Sequence, residues 1–277
     1  HFELYLIDLK KKKMNISILG YGNLGGSIAK GLISFGDLNK LYITKKDVKT
    51  LSQNIEDKRY ILTSNNLNAV SDSNIIFLTV QPKQFKGLAE EIKGHINSDQ
   101  IIISPITGIS IKDLEDEFGN DKKIIRCMTN TAVAVKQAVT CICSNRTGKK
   151  SVEIVQNIFK KLGHTMIIEE KNMQAATVIS ASGIAFWMRL IRATAQGGVQ
   201  LGFESKQALE MSLMTSLGAA KLLEENQSHP EDEIDKVTTP NGCTIEGLIE
   251  MEHQGLSSAL IKGIEKSFSK INLMKKE

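Results

Sequence analysis

The chain has 277 residues, 41% of them apolar and 24% charged, an ordinary globular composition with length for two domains of roughly 100–170 residues each. Its net charge is +4, of which the leading HFELYLIDLKKKK supplies +2, so the remainder is nearly balanced and lacks the basic footprint of a nucleic-acid binder. No apolar run approaches the ~18–20 residues that span a bilayer, and no signal-peptide pattern is present, because the short apolar part of the leader precedes its charges.

A clean strand starts directly after Met14, so residues 1–13 are expected to be a leader or tag, disordered and outside the fold. NISIL (15–19) reads as the first strand, and Gly20, Gly22 and Gly25 follow in G-x-G-x-x-G spacing before a helix over Leu24–Phe35. Strand, glycine turn and helix in that order point to a dinucleotide. Gly20 allows the tight turn, Gly22 lets the backbone approach a pyrophosphate, and Gly25 lets the helix pack close to the strand. The helix N-terminus offers N–H groups and partial positive charge to the phosphates. A glycine-rich turn that binds nothing is the competing reading.

The next strand, KLYIT (40–44), ends in Thr44, Lys45 and Lys46, where NAD binders place an acid for the ribose 2′-hydroxyl. A hydroxyl and two cations suit a 2′-phosphate, so NADPH is the expected cofactor, with NADH used less well. Asp47 lies just beyond, and a solvated lysine turn is the alternative.

RYILT (59–63), NIIFLTV (74–80), QIIIS (100–104), KIIRCMT (123–129), AVTCICS (138–144) and HTMIIE (164–169) continue the strands, with helical stretches at Lys83–Gly94, Ile111–Phe118 and Lys149–Leu162. Near-continuous apolar strands between helices predict a parallel sheet covered on both faces. Cys141 and Cys143 share one face of a strand and read as core thiols. With Cys127 and Cys243 they lack the C-x-x-C pairing of a zinc site, so no metal is expected, and unpaired thiols fit a reducing cytoplasm.

After Glu170 no further strand is predicted. Residues 172–203 read as one helix, apolar nearly all round and interrupted near Ser182-Gly183. Such a helix must be buried on most faces, more than about a hundred residues of helix can cover alone, so a subunit interface is expected. Helices at Lys206–Glu225, Thr244–His253 and Leu256–Met274 follow, with Ser228-His229-Pro230 as punctuation. The expected architecture is α/β: an N-terminal Rossmann-type doubly wound sheet over 14–169, then an all-α C-terminal domain over 170–277. Within that domain the turn Thr239–Thr244 opens onto a helix, and its N–H groups with the Thr244 hydroxyl offer a cradle for a carboxylate.

Six segments in order, ILGYGNLGGSIAKGL, NIIFLTVQPKQF, IISPITGIS, IIRCMTNTAVAVKQAVT, VISASGIAF and VTTPNGCTIEGL, resemble those of the pyrroline-5-carboxylate reductase family, from Met14 to the C-terminus. The resemblance implies hydride transfer from NADPH to the C=N carbon of 1-pyrroline-5-carboxylate, a small cyclic imine acid, giving L-proline. It implies a homodimer through the C-terminal helices, in some members built into larger rings, with no nucleic-acid or membrane partner. Carried over by the matching motifs, Gly20, Tyr21, Gly22, Asn23 and Leu24 surround the pyrophosphate, Lys45 beside Thr44 meets the 2′-phosphate, and Asn66 adjoins the adenosine ribose. Thr79, Val80, Gln81 and Pro82 line the way to the nicotinamide, over which Ile106, Thr107 and Gly108 close.

On the substrate side, Thr244 matches the family threonine next to substrate and is the expected catalytic contact, with Gly242 and Cys243 beside it. Glu170 matches an acid that would pair with the iminium, Asn130 and Thr131 would line the cleft, and Ser182 and Gly183 match the helix break. A plain N-cap role for Thr244 and a surface acid role for Glu170 are the alternatives.

Departures from the family pattern are Gln81 for Lys, Thr239 for Ser, Asn241 for Gly, Cys243 for a small residue or Thr, Ala132 and Ile184 for Pro, and Ala181 for Gly. Asn tolerates the positive φ that glycine would supply at 241. These changes leave open another imine or keto acid, or a regulatory nucleotide-binding homologue. β-Hydroxyacid dehydrogenases share the layout but need a catalytic Lys on the interdomain helix, and residues 170–203 hold only Lys171 at their start.

Overall fold

A computed structural model describes residues 13–47 and 57–274. Apart from Lys13, the leader expected at 1–13 lies outside the described residues. The elements run β1 (Met14–Leu19), α1 (Asn23–Leu32), β2 (Leu38–Thr44), β3 (Tyr60–Thr63), α2 (Asn66–Ser71), β4 (Ile75–Leu78), α3 (Phe85–Ile92) and β5 (Ile101–Ser104). They continue with α4 (Ile111–Phe118), β6 (Lys123–Met128), β7 (Ala138–Ser144), α5 (Val152–Lys160) and β8 (Gly163–Ile167). The strands form one eight-stranded sheet in the order β3-β2-β1-β4-β5-β6-β7-β8.

The first six strands are parallel, as their apolar runs predict, but β7 runs antiparallel to β6. The expectation of a wholly parallel sheet is corrected here. A parallel return needs a crossover of a dozen or more residues. The connection 129–137 holds a single 3-10 turn, Thr131–Val135, so the chain folds straight back. Helix α2 was also not predicted: six residues are too few to show an apolar period, and its one clear signal is Asn65, which caps it by accepting from the Asn68 N–H.

Apolar side chains fill both faces of the sheet. On one, Ile28 and Leu32 of α1 and Val155 and Phe159 of α5 pack on Ile16, Ile18 and Phe77. On the other, Phe85 and Leu88 of α3 and Leu114 and Phe118 of α4 pack on Ile76, Leu78 and Ile102. Edge-to-face pairs, Phe77 with Phe159 and Phe85 with Phe118, have ring centroids 6.0 and 6.2 Å apart, a favoured aromatic geometry.

Packing divides the chain at Ala181/Ser182 and again at Ser267/Phe268. The composition change falls earlier, at 169/170, because α6 (Met173–Ala176) and the turn after it still pack on the sheet unit through Met173, Ala176 and Ala181. The predicted interruption at Ser182-Gly183 takes the form of a π-helical turn over Thr177–Ser182, a device that recurs at functional sites.

The second unit is helical: α7 (Gly183–Gln200), α8 (Ser205–Asn226), α9 (Pro230–Val237), α10 (Cys243–His253) and the part of α11 (Leu256–Met274) that ends at Ser267. The sequence offers Ser228-His229-Pro230 as punctuation, where the structure has helix α9. Pro230 instead opens it, and the His229 ring caps it by accepting from the Glu231 N–H. Helices α7 and α8 approach closely at Gly198, where a Cβ would lie 2.9 Å from that of Ala208.

The expectation that no segment is apolar and long enough to span a bilayer is also corrected. The helical stretch Glu170–Gln200, 31 residues, passes on length and composition, and 17% of its most apolar window is buried. Trp187 is 65% exposed, Leu201 81% and Met214 61%, so α7 and α8 carry an apolar surface that their own unit leaves open.

Candidate active site

Strand order reverses between β1 and β4, and ligands of such sheets sit outside the carboxyl ends of the strands at that point. The glycine turn lies there. Gly20 has φ +103°, and a Cβ on it would come within 2.8 Å of Val80 Cγ1. The Thr79 hydroxyl donates to the Gly20 carbonyl at 2.8 Å, while the Thr44 hydroxyl accepts the Gly20 N–H at 3.3 Å. The Tyr21 N–H donates to the Thr44 carbonyl at 3.0 Å. Thr44, 3% exposed, and Thr79 therefore hold the turn's shape from beneath, their hydroxyls directed to its backbone.

Gly22, the N-cap of α1, has φ −96°, and among the described residues nothing beyond its own chain neighbours lies within 4 Å of where its Cβ would be. No side chain caps α1 and no acid sits in its first turn. Asn23 is exposed and Leu24 half-buried at the helix start, and its leading N–H groups have no capping side chain among the described residues. This fits a pyrophosphate: an uncapped helix N-terminus, backbone donors and no Cβ in the way. Gly25 sits behind, where a Cβ would be 2.8 Å from Thr79 Oγ1 and closer still to the Gly20 carbonyl oxygen.

Lys45 is half-buried and Lys46 exposed at the end of β2. Asn66 begins α2, its amide donating to Glu91 Oε2 at 3.0 Å. Beyond β4, Val80 is half-buried, and Gln81 is exposed and caps the 3-10 turn that Pro82 opens. Beyond β5, the Ile106 side chain is 3% exposed and anchors its loop in the core, while Thr107 and Gly108, at φ +83°, form the turn.

Farther along the sheet, Asn130 acts as a clasp. Its Nδ2 donates to the Ser180 carbonyl on the π turn at 2.7 Å and its Oδ1 accepts the Ala132 N–H at 2.9 Å, with Thr131 exposed beside it. Glu170 is neither a free surface acid nor unengaged: its Oε1 accepts the Ile111 N–H at 2.6 Å and Arg126 Nη1 at 3.0 Å. Arg126 was missed from sequence. Its signal is one cation inside an apolar strand, KIIRCM, and it is 2% exposed. Cys143 lies nearby, and burial followed by the Glu170 charge pushes its thiol up to about 12, with Arg126 opposing.

In the helical unit, Asn241 adopts φ +57°, the left-handed conformation in place of glycine, and Gly242 is the N-cap of α10. A Cβ at Gly242 would collide with the Thr239 hydroxyl oxygen. Cys243 and Thr244 are the first two residues of α10 and both are exposed; Thr244 is inside the helix, so it is not the N-cap, and no side chain caps α10. A shallow depression of about 460 Å³ beside this turn is lined by Thr239, Pro240, Asn241 and Glu246 among others. Ser182 ends the π turn and Gly183 is buried at the start of α7.

Residues 170–274 match the family model described as pyrroline-5-carboxylate reductase dimerisation, and residues 15–108 match the one described as NADP oxidoreductase coenzyme F420-dependent. The chain is 41% identical over 269 residues to pyrroline-5-carboxylate reductase 1 of Dictyostelium discoideum; the match covers 92% of this chain but 49% of that protein, so the chain spans about half of that relative's length. It is 38% identical over 280 residues to pyrroline-5-carboxylate reductase 2 of the same organism, covering 95% of this chain and 93% of the relative. Its fold is similar to the crystal structure of Plasmodium falciparum pyrroline carboxylate reductase with NADP bound, with a TM-score of 0.86 at 24% identity, covering 95% of this chain and 99% of the other.

Proposed function

Because the chain belongs to the pyrroline-5-carboxylate reductase family, oxidoreductases acting on a CH–NH bond, we propose that it reduces 1-pyrroline-5-carboxylate to L-proline with NADPH, completing proline synthesis. When bound, NADPH supplies the hydride that goes to the C=N carbon. The observation that carries the nucleotide reading is the uncapped N-terminus of α1 behind open space at Gly22, beside a β2 end that offers Lys45 and Lys46 in place of an acid.

The backbone of residues 20–24 takes the pyrophosphate and Lys45 the 2′-phosphate, which a carboxylate there would repel. Asn66 adjoins the ribose. Val80, Gln81 and Pro82 direct the chain toward the nicotinamide, and the Thr107-Gly108 turn closes over it. A protonated cyclic imine is already electrophilic, so the protein needs no nucleophile; it holds the imine carbon at near-attack distance and keeps water out. The N–H groups at the start of α10 take the substrate carboxylate, and the Thr244 hydroxyl contacts the substrate. Asn130 and Thr131 shape the cleft.

We also assign a homodimer through the C-terminal helices, able to build larger rings. A second copy covers Trp187, Leu201 and Met214, and an apolar surface of this kind marks a protein interface. Four unpaired thiols, three of them buried, fit the cytoplasm. The test is NADPH oxidation over a panel of cyclic imine and keto acids. Turnover with pyrroline-5-carboxylate above all others is expected; preference for another acid, or rates equal to buffer, would overturn the assignment.

A further inference from the structure

We propose that Arg126 and Glu170 form a positioning pair that sets the loop over the nicotinamide, and that Glu170 acts through Ile111 rather than on the substrate. The proposal rests on the nucleotide reading above, since it assigns the loop 105–110 to that ring.

One carboxylate oxygen, Glu170 Oε1, receives both the Ile111 N–H at 2.6 Å and Arg126 Nη1 at 3.0 Å. Ile111 is the first residue of α4, so Glu170 satisfies an orphan N–H of that helix and places negative charge at its positive end. Two neighbouring donors are met locally: Ser110 Oγ accepts from the Asp113 N–H at 3.1 Å, and Asp113 returns a bond to the Ser110 N–H at 2.7 Å. That box fixes α4 to its own cap and to nothing else. Glu170 ties the same helix start to β6.

The other end of the loop is held by the Ile106 side chain and a long 3.4 Å bond from the Ile106 N–H to Ser104 Oγ. Between these anchors Gly108 takes φ +83°, with nothing within 4 Å of where a Cβ would be. The position of Thr107-Gly108 thus depends on where Ile111 is pinned.

Stability gives no reason for the pair. Arg126 is 2% exposed, and its Nε and Nη2 have no partner among the described residues. Arg126 is buried but Glu170 is half-exposed, so water weakens the attraction, and a half-satisfied pair of this kind is often no better than apolar side chains of the same volume. What it supplies is direction: a planar guanidinium on a rigid strand fixes one carboxylate oxygen, and that oxygen fixes the loop.

The test uses the full-length E170A, E170Q and R126M/E170M proteins, measuring kcat, both KM values, NADPH affinity and nicotinamide fluorescence at saturation. For E170A, kcat should fall on the order of 10–100-fold, with NADPH affinity and imine KM within about threefold of wild type, because small misplacements at the reacting ring act on kcat. Nicotinamide emission at saturation should fall as well. E170Q keeps an acceptor for Ile111 and should recover most of kcat. R126M/E170M, which removes both charges as a unit and leaves no unpaired guanidinium in the core, should fold and show the kcat loss of E170A and no more.

A lowered melting temperature with wild-type kcat and emission would reduce the pair to a fold element and overturn the proposal. An imine KM raised tenfold or more at unchanged kcat, with E170Q no better than E170A, would make Glu170 a substrate contact and overturn it too. The emission readout needs no imine, so a wild type that fails to reduce pyrroline-5-carboxylate sinks the substrate assignment separately.

Discussion

Two alanine substitutions in one glycine turn should separate packing from binding. At Gly25 the added Cβ would lie 2.8 Å from Thr79 Oγ1, 3.2 Å from Ile18 Cγ2 and closer still to the Gly20 carbonyl, so α1 must move off β1. Overpacking costs about 1–3 kcal/mol, and a clash with backbone puts this site in the upper half, about 2–3 kcal/mol, offset in part by the ~1 kcal/mol that alanine gains over glycine in a helix. The net loss is about 1–2 kcal/mol, a melting temperature lower by about 2–8 °C for a chain of this size. At Gly22 the space is open and the backbone, at φ −96° and ψ −163°, is one that alanine adopts freely. G22A should therefore melt within about 0.5 kcal/mol of wild type. The methyl group nevertheless stands where the pyrophosphate approaches. Losing one charge-assisted hydrogen bond costs about 1.5–3 kcal/mol, so the NADPH Kd should rise on the order of 10–100-fold. Scanning fluorimetry without nucleotide and titration of nicotinamide fluorescence read the two effects separately. Wild-type NADPH affinity in G22A, or wild-type melting in G25A, would refute this account of the turn.

Other consequences are open to simpler assays. K45A/K46A should weaken NADPH by on the order of tenfold or more and leave NADH unchanged, as loss of ionic contacts to the 2′-phosphate requires; equal losses would remove that role. T244A should lower kcat/KM for the imine by about 10–100-fold while NADPH binds normally, the size expected for a hydrogen bond to a charged substrate. Cys127, Cys141 and Cys143 are buried with thiols pushed up chiefly by burial, so Ellman's reagent at pH 8 should titrate Cys243 alone in the native protein and all four cysteines after unfolding. Lys236, then Ser228 and Asn226, hold the Glu233 carboxyl down at about 2, against 4.5 for a free side chain. Its contribution to stability is complete above pH ~4.5 and lost as pH falls toward 2, so the advantage of wild type over E233Q in melting temperature should shrink across that window; parallel curves would contradict it.

Much of the fold can be read from short-range pattern. Apolar runs of strand length and the glycine spacing after NISIL place the nucleotide turn, because both depend on neighbours in sequence. The left-handed Asn241 was legible only through the family resemblance, which puts glycine there, and asparagine is among the few other residues that accept that conformation. Strand direction was not legible at β7, since an apolar run carries no sign and only the short 129–137 connection decides it. Helix α9 was hidden because Pro230 serves equally as a stop and as a first helical residue.

The candidate site was least legible where partners lie far apart in the chain. Arg126 meets Glu170 across 44 positions, and nothing near either residue announces the other. Sequence position alone puts Thr44 and Thr79 beside a ligand. That both turn their hydroxyls to Gly20 follows from strands β2 and β4 flanking β1, a tertiary fact.

The most direct measurement follows the hydride itself. Pyrroline-5-carboxylate is incubated with this protein and NADPH carrying deuterium at both C4 positions of the nicotinamide, and the product is analysed by mass spectrometry. The account predicts L-proline carrying one deuterium in place of hydrogen at the former imine carbon, with one NADPH consumed per proline formed. Unlabelled proline, or NADPH left intact beside unreacted imine, would contradict it.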